Sequence, residues 1–98
     1  MAQERTIGIL GGMGPEATLE LFRLIIKMTP TPGGQDQEHF HIVIDNNPKI
    51  PDRTRAIQKV GPDSFPLLRE SAQRMEKSGA DFIVIPCNTA HHWLEDMR

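Results

Sequence analysis

A chain of 98 residues, 38% hydrophobic and 24% charged, has room for one domain with its own core and no more. Its formal charge of −2 is spread over 11 basic and 13 acidic residues without a basic block, which argues against nucleic-acid and membrane-surface partners. The apolar stretch from Ile7 to Leu10 is too short for a signal-peptide core or a membrane span, and a single cysteine excludes an intrachain disulfide, so a cytoplasmic protein is expected.

Thr6-Ile7-Gly8-Ile9-Leu10 is a short apolar run with β-branched residues that stops at Gly11-Gly12-Met13-Gly14-Pro15, which predicts a first strand and a tight turn. Pro15 suits the first turn of a helix, Glu16 meets the positive end of its dipole, and Leu21, Phe22, Ile25 and Met28 follow at helical spacing. Pro30 and Pro32 end that helix near Thr29. A polar loop over residues 30–38 leads to a second apolar run at Phe40, Ile42, Val43 and Ile44, with His39 and His41 on one face of the strand and Asp45-Asn46-Asn47-Pro48 breaking it. Residues 49–59 read as an exposed excursion that ends in a short helical piece after Asp52.

Phe65, Leu68, Ala72 and Met75 share one helix face, which Asp63 or Ser64 can cap at the front and Gly79 can close at the back. Phe82-Ile83-Val84-Ile85 has no polar alternation, as expected of a parallel strand covered by helices on both faces. After Pro86-Cys87, Asn88 or Thr89 can cap a last helix whose core side would carry Trp93, Leu94 and Met97. The alternation of strand and helix predicts a single α/β domain over residues 1–98, a three-layer sandwich around a parallel sheet. Ligands of such sheets bind beyond the carboxyl ends of the strands, so residues 11–15, 45–55 and 86–89 are where a site is expected.

Cys87 falls at that edge, where a helix start favours a thiolate, a base or nucleophile; small buried cysteines at strand ends are the plainer reading. Asn88 and Thr89 set polar groups and backbone donors beside the sulfur, where a carboxylate can dock. Arg53 has the planar fork that binds a carboxylate in two places, with Thr54 and Arg55 as further donors, against the plainer reading of a solvated loop arginine. Gly12-x-Gly14-x-x-Ala17 matches the loose dinucleotide fingerprint, but Pro15 lacks an N–H, Glu16 adds negative charge, and no acidic residue follows at the distance required. His91, four residues after Cys87, and the pair His39 and His41 fall short of a recognised metal spacing. No cofactor and no metal are expected.

Three motifs in order, Gly-Ile-Leu-Gly-Gly-Met-Gly-Pro at 8–15, Pro-Asp-Arg-Thr at 51–54 and Ile-Pro-Cys-Asn-Thr-Ala-His at 85–91, resemble the aspartate racemase family of the aspartate/glutamate racemase superfamily, over essentially the whole chain. The resemblance implies a flavodoxin-like or Rossmann-like half of a two-domain, cofactor-independent enzyme, a homo-oligomer when full length, whose halves each bring one cysteine to opposite faces of a small acidic amino acid. It assigns Cys87 as one proton donor and acceptor. Met13, Asp52, Arg53, Thr54, Asn88, Thr89 and Ala90 would line the substrate site, with Arg53 on a carboxylate. Gly-Gly-Met-Gly-Pro differs from the Asp-Ser-Gly loop usual in glutamate racemases and points to the aspartate branch.

Two thiols follow from the chemistry: inversion by proton removal needs one group to take the α-proton and another to deliver a proton to the opposite face. The chain has about half the family's length and lacks its second cysteine motif, so it is expected to be the N-terminal half, with the C-terminal half absent and no turnover alone. Two other functions fit the same residues. One is a non-catalytic α/β domain that holds an anionic metabolite at Arg53; the other is a related hydantoin racemase or maleate isomerase.

Overall fold

The computed structural model describes residues 5–87. They form β1 (Ile7–Gly11), α1 (Pro15–Met28), a 3-10 turn (Asp36–Glu38), β2 (Ile42–Asn46), α2 (Arg53–Ile57), α3 (Phe65–Lys77) and β3 (Phe82–Val84). β1 is central in a parallel sheet of order β2-β1-β3, with Ile7 paired to Ile42 on one side and to Phe82 on the other. That position accounts for its sequence. With strands on both edges and helices on both faces, all five residues are buried, and the run offers no polar position to water.

Alternation along β1 sorts the helix layers. A Cβ placed on Gly8 would press on Ala80 and on Met75 of α3, whereas one on Gly11, of opposite parity, would fall on Thr18 of α1. The two helices therefore cover opposite faces, giving the three-layer α/β sandwich expected. The chain winds from β1 through α1 to one edge, then from β2 through α2 and α3 to the other, a doubly wound topology.

The helix ends follow local chemistry. Pro15 opens α1, Asp52 accepts from the Arg55 N–H at 3.0 Å to cap α2, and Gly79 closes α3 at a φ of +90°. At the start of α3, Asp63 accepts the Phe65 N–H at 3.0 Å, while the Ser64 hydroxyl donates to the Pro51 carbonyl at 2.8 Å. Ser64 thus ties the 50–53 loop to α3 instead of capping the helix.

Three local expectations need correction. β2 does not break at Asp45 but runs to Asn46, because Asp45 pairs with Leu10 and its carboxylate is met from α3 by the Ser71 hydroxyl and by Arg74 Nη2 at 2.8 Å. His39 and His41 share no strand face, since both precede β2. β3 is three residues long and not covered on both faces: Phe82 is 43% and Ile83 36% exposed. The reason is placement, since β3 is an edge among the described strands and the helices pack mainly on β1 and β2. The expected last helix lies outside the described residues. Among the described residues no helix is long and apolar enough to cross a membrane.

Candidate functional site

At the carboxyl end of the sheet the turn after β1 is built by close approach. Gly12 has a φ of +99°, and a Cβ there would collide with the backbone of Asn47. The Asn47 N–H donates to the Gly11 carbonyl at 3.2 Å, and the Gly12 N–H donates to Thr18 Oγ1 at 3.0 Å. Gly12 thus lets the turn after β1 and the turn after β2 lie against each other without an intervening side chain.

Below these turns Leu10, Met13, Ile50 and Leu68 form a buried apolar floor, with exposures of 5% or less. Ile85 and Cys87 pack against it from the end of β3, and Phe65, Leu67, Ala56 and Ala72 from α2 and α3. Cys87 is half-buried, and its N–H donates to the Ile85 carbonyl at 2.8 Å. The sulfur-bearing residue therefore rests on a dry floor and keeps part of its surface open. Burial of that floor supplies the main fixed reference for the site, since each large apolar side chain gains roughly 1.5–3 kcal/mol from leaving water.

The loop after β2 brings Arg53 to the same floor. Its Nη1 donates to the Ile50 carbonyl at 3.3 Å and to the Pro51 carbonyl at 3.5 Å. Arg53 Nε is buried and has no hydrogen-bond partner among the described residues, and no carboxylate there lies within ion-pair distance of the guanidinium. A guanidinium held from one side by carbonyls, with a donor left over, is suited to an anion. Asp52 is occupied as the cap of α2, and Thr54 is exposed on its first turn.

Of the residues expected at the site, Met13 and Cys87 meet on one floor, and Arg53 joins them through the carbonyl of Ile50. Met13 enters as a buried floor residue, 5% exposed. Arg55 does not add a donor there, because its Nη2 is turned to the Val60 carbonyl at 3.2 Å. Asn88, Thr89, Ala90 and His91 lie outside the described residues. Sequence reasoning missed Ile50 and Ser64. Ile50 is an apolar residue between Lys49 and Pro51 in a polar stretch, a signal for an anchored loop; Ser64 bonds a carbonyl thirteen positions away, which leaves no local signal. His39 and His41 border a different groove, at the amino end of β2. Among the described residues no three His, Cys, Asp or Glu side chains gather in a way that would hold a metal ion.

Comparison with known proteins identifies the family and the fold. A model of the Asp/Glu/hydantoin racemase family matches residues 10–98. The broad specificity amino-acid racemase RacX of Bacillus subtilis (strain 168) is 33% identical over an alignment that covers 94% of this chain and 40% of that protein. The structure of Picrophilus torridus aspartate racemase matches with a TM-score of 0.86 at 34% identity, covering 96% of this chain and 40% of the other. An aspartate racemase homologue from Pyrococcus horikoshii OT3 shares the fold, with a TM-score of 0.70 at 24% identity over 95% of this chain and 40% of its own. The chain therefore spans about 40% of the length of the relatives it matches.

Proposed function

The chain belongs to the Asp/Glu/hydantoin racemase family, and on that premise we propose that it supplies one half-site of a cofactor-independent racemase for aspartate or glutamate. Cys87 is the proton-transfer group of this half. As a thiolate it takes the α-proton from one face of the substrate; as a thiol it returns one when the reaction runs the other way. The chain has one cysteine, so the group on the opposite face comes from the complementary half of the enzyme. In this reading residues 1–98 are the N-terminal α/β domain of a two-domain protein, and a single cysteine suits the reducing cytoplasm.

Binding divides between the loops. Arg53 takes a substrate carboxylate with its donor-rich edge, Asp52 and Thr54 frame it, and Met13 closes the floor under the α-carbon. Asn88 and Thr89 contribute backbone donors to the carboxylate as negative charge spreads onto it during proton removal, and Ala90 lines the pocket. Among acidic amino acids the glycine-rich turn over residues 11–15 favours aspartate, the substrate named for the Picrophilus torridus enzyme.

The observation that carries the proposal is the position of Cys87: half-buried, on a dry floor shared with Met13, at the sheet edge where Arg53 has a buried donor to spare. Its test is the rate of alkylation of Cys87 against pH. A catalytic thiol titrates clearly below about 8.5 and is protected by aspartate. Reactivity that rises only at or above about 8.5, with anions still bound at Arg53, would favour a non-catalytic anion-binding domain. Comparing aspartate, glutamate, hydantoins and maleate as substrates of the complete gene product separates the racemase from its hydantoin and maleate relatives.

A further inference from the structure

Ser64 stands at the N-cap position of α3 and does not act as a cap. A capping serine accepts an N–H from the first turn of its helix. Here Pro66, second in α3, has no N–H to offer, and Asp63 accepts that of Phe65. The Ser64 hydroxyl turns the other way and donates to the Pro51 carbonyl at 2.8 Å, thirteen positions back. Ser64 is fully buried, so bulk water does not compete for that hydroxyl.

The bond closes the base of the stretch that carries Arg53. Between Pro51 and Ser64 the side-chain hydrogen bonds join near neighbours, Arg55 to Asp52 and to Val60, and Ile57 and Val60 are exposed. Apart from the contact of the Ala56 methyl with the floor, these interactions shape α2 without attaching it to the sheet. At its base the stretch is fixed from two sides: Ile50, 3% exposed, packs in the floor, and Ser64 holds Pro51. The same two carbonyls receive Arg53 Nη1, at 3.3 Å from Ile50 and 3.5 Å from Pro51. Both contacts are long for hydrogen bonds, so they aim the guanidinium only as well as the carbonyls are themselves held. A carbonyl oxygen with two lone pairs can accept from Ser64 and Arg53 together.

We propose that Ser64 is a positioning residue for substrate binding: by holding the Pro51 carbonyl from α3, it keeps the planar edge of Arg53 turned to the substrate carboxylate. It touches no substrate atom. The proposal rests on the reading of Arg53 as the carboxylate-binding group and adds that α3 sets its aim. Two-point recognition of a carboxylate requires the guanidinium at a fixed angle, so loss of the pin weakens binding and leaves proton transfer at Cys87 nearly as fast.

Steady-state racemisation of aspartate by the complete gene product tests this through a double-mutant cycle with Arg53. Ser64→Ala raises KM about fivefold and changes kcat by less than about twofold. It deletes a single oxygen, so no clash arises and the circular dichroism spectrum is unchanged. In an Arg53→Lys background the same substitution moves KM by less than about twofold, because a lysine ammonium is a point charge with no fork to aim. Ser71→Ala is the control for lost stability alone: it removes another buried hydroxyl of α3, one bonded to Asp45 and not to the 50–53 loop, and leaves KM unchanged. A wild-type KM in Ser64→Ala, an equal rise in both backgrounds, or a matching rise in Ser71→Ala would each overturn the proposal while Arg53 keeps its role. If Arg53→Lys itself leaves KM unchanged, the reading of Arg53 fails and the role of Ser64 falls with it.

Discussion

Arg53 is a side chain with one edge committed and another left over. The Ile50 and Pro51 carbonyls hold Nη1, while Nε is buried without a partner among the described residues. A buried donor without an acceptor costs on the order of 1–3 kcal/mol, which a bound carboxylate can offset. Arg53→Lys keeps the charge but loses the planar fork. In the complete gene product it should raise KM for aspartate by roughly tenfold or more while changing kcat less, and steady-state kinetics reads the split directly. Ser71 makes a different kind of contact. It is fully buried and donates to the Asp45 carboxylate, which Arg74 also binds. Ser71→Ala should lower stability by about 1.5–3 kcal/mol in urea unfolding, the range for a hydrogen bond to a charged group, without removing activity.

Among the elements, the two turns at the carboxyl edge depend most on a single residue type. Gly12→Ala would need a positive φ that L side chains rarely adopt and would drive its Cβ into the Asn47 backbone. It should cost about 2 kcal/mol or more and loosen the loop that carries Arg53, read as a fall in melting temperature together with faster hydrogen exchange at Asn47. These elements were legible in the sequence where their signals are local. Pro15 marks the start of α1, Asp52 caps α2, and Gly79 ends α3. The end of β2 was not legible, since Asp45 and Asn46 look like turn residues and stay in the strand only because side chains from α3 and the backbone of β1 meet them. The site divides in the same way. Arg53 and Cys87 stand out by chemistry and by their place after strands, but Ile50 and Ser64 owe their roles to contacts far along the chain. The exposure of Phe82 and Ile83 escaped notice because an apolar run reports that a strand can be buried, not that this fold buries it.

At the scale of the molecule, Ile7 and Ile9 are buried on the α1 face of β1, while Leu10, Met13, Ile50 and Leu68 gather at the carboxyl end of the sheet, where the floor under Cys87 joins β1, the 46–52 loop and α3. Leu68 is fully buried at that junction, and Leu68→Ala should cost about 2–5 kcal/mol by denaturant unfolding and displace the floor as well. In the proposed reading this floor is one wall of the substrate cleft. A racemase needs two, because proton removal and delivery occur on opposite faces of one carbon. The most direct test is racemisation of L-aspartate in D₂O by the complete gene product, with Cys87 intact and as Cys87→Ser. Serine nearly matches the volume of cysteine but is a far weaker acid, so the account predicts an intact fold and racemisation reduced by at least about a thousandfold. Turnover within about tenfold of wild type in Cys87→Ser would contradict it, since the sulfur would then be only part of the packing.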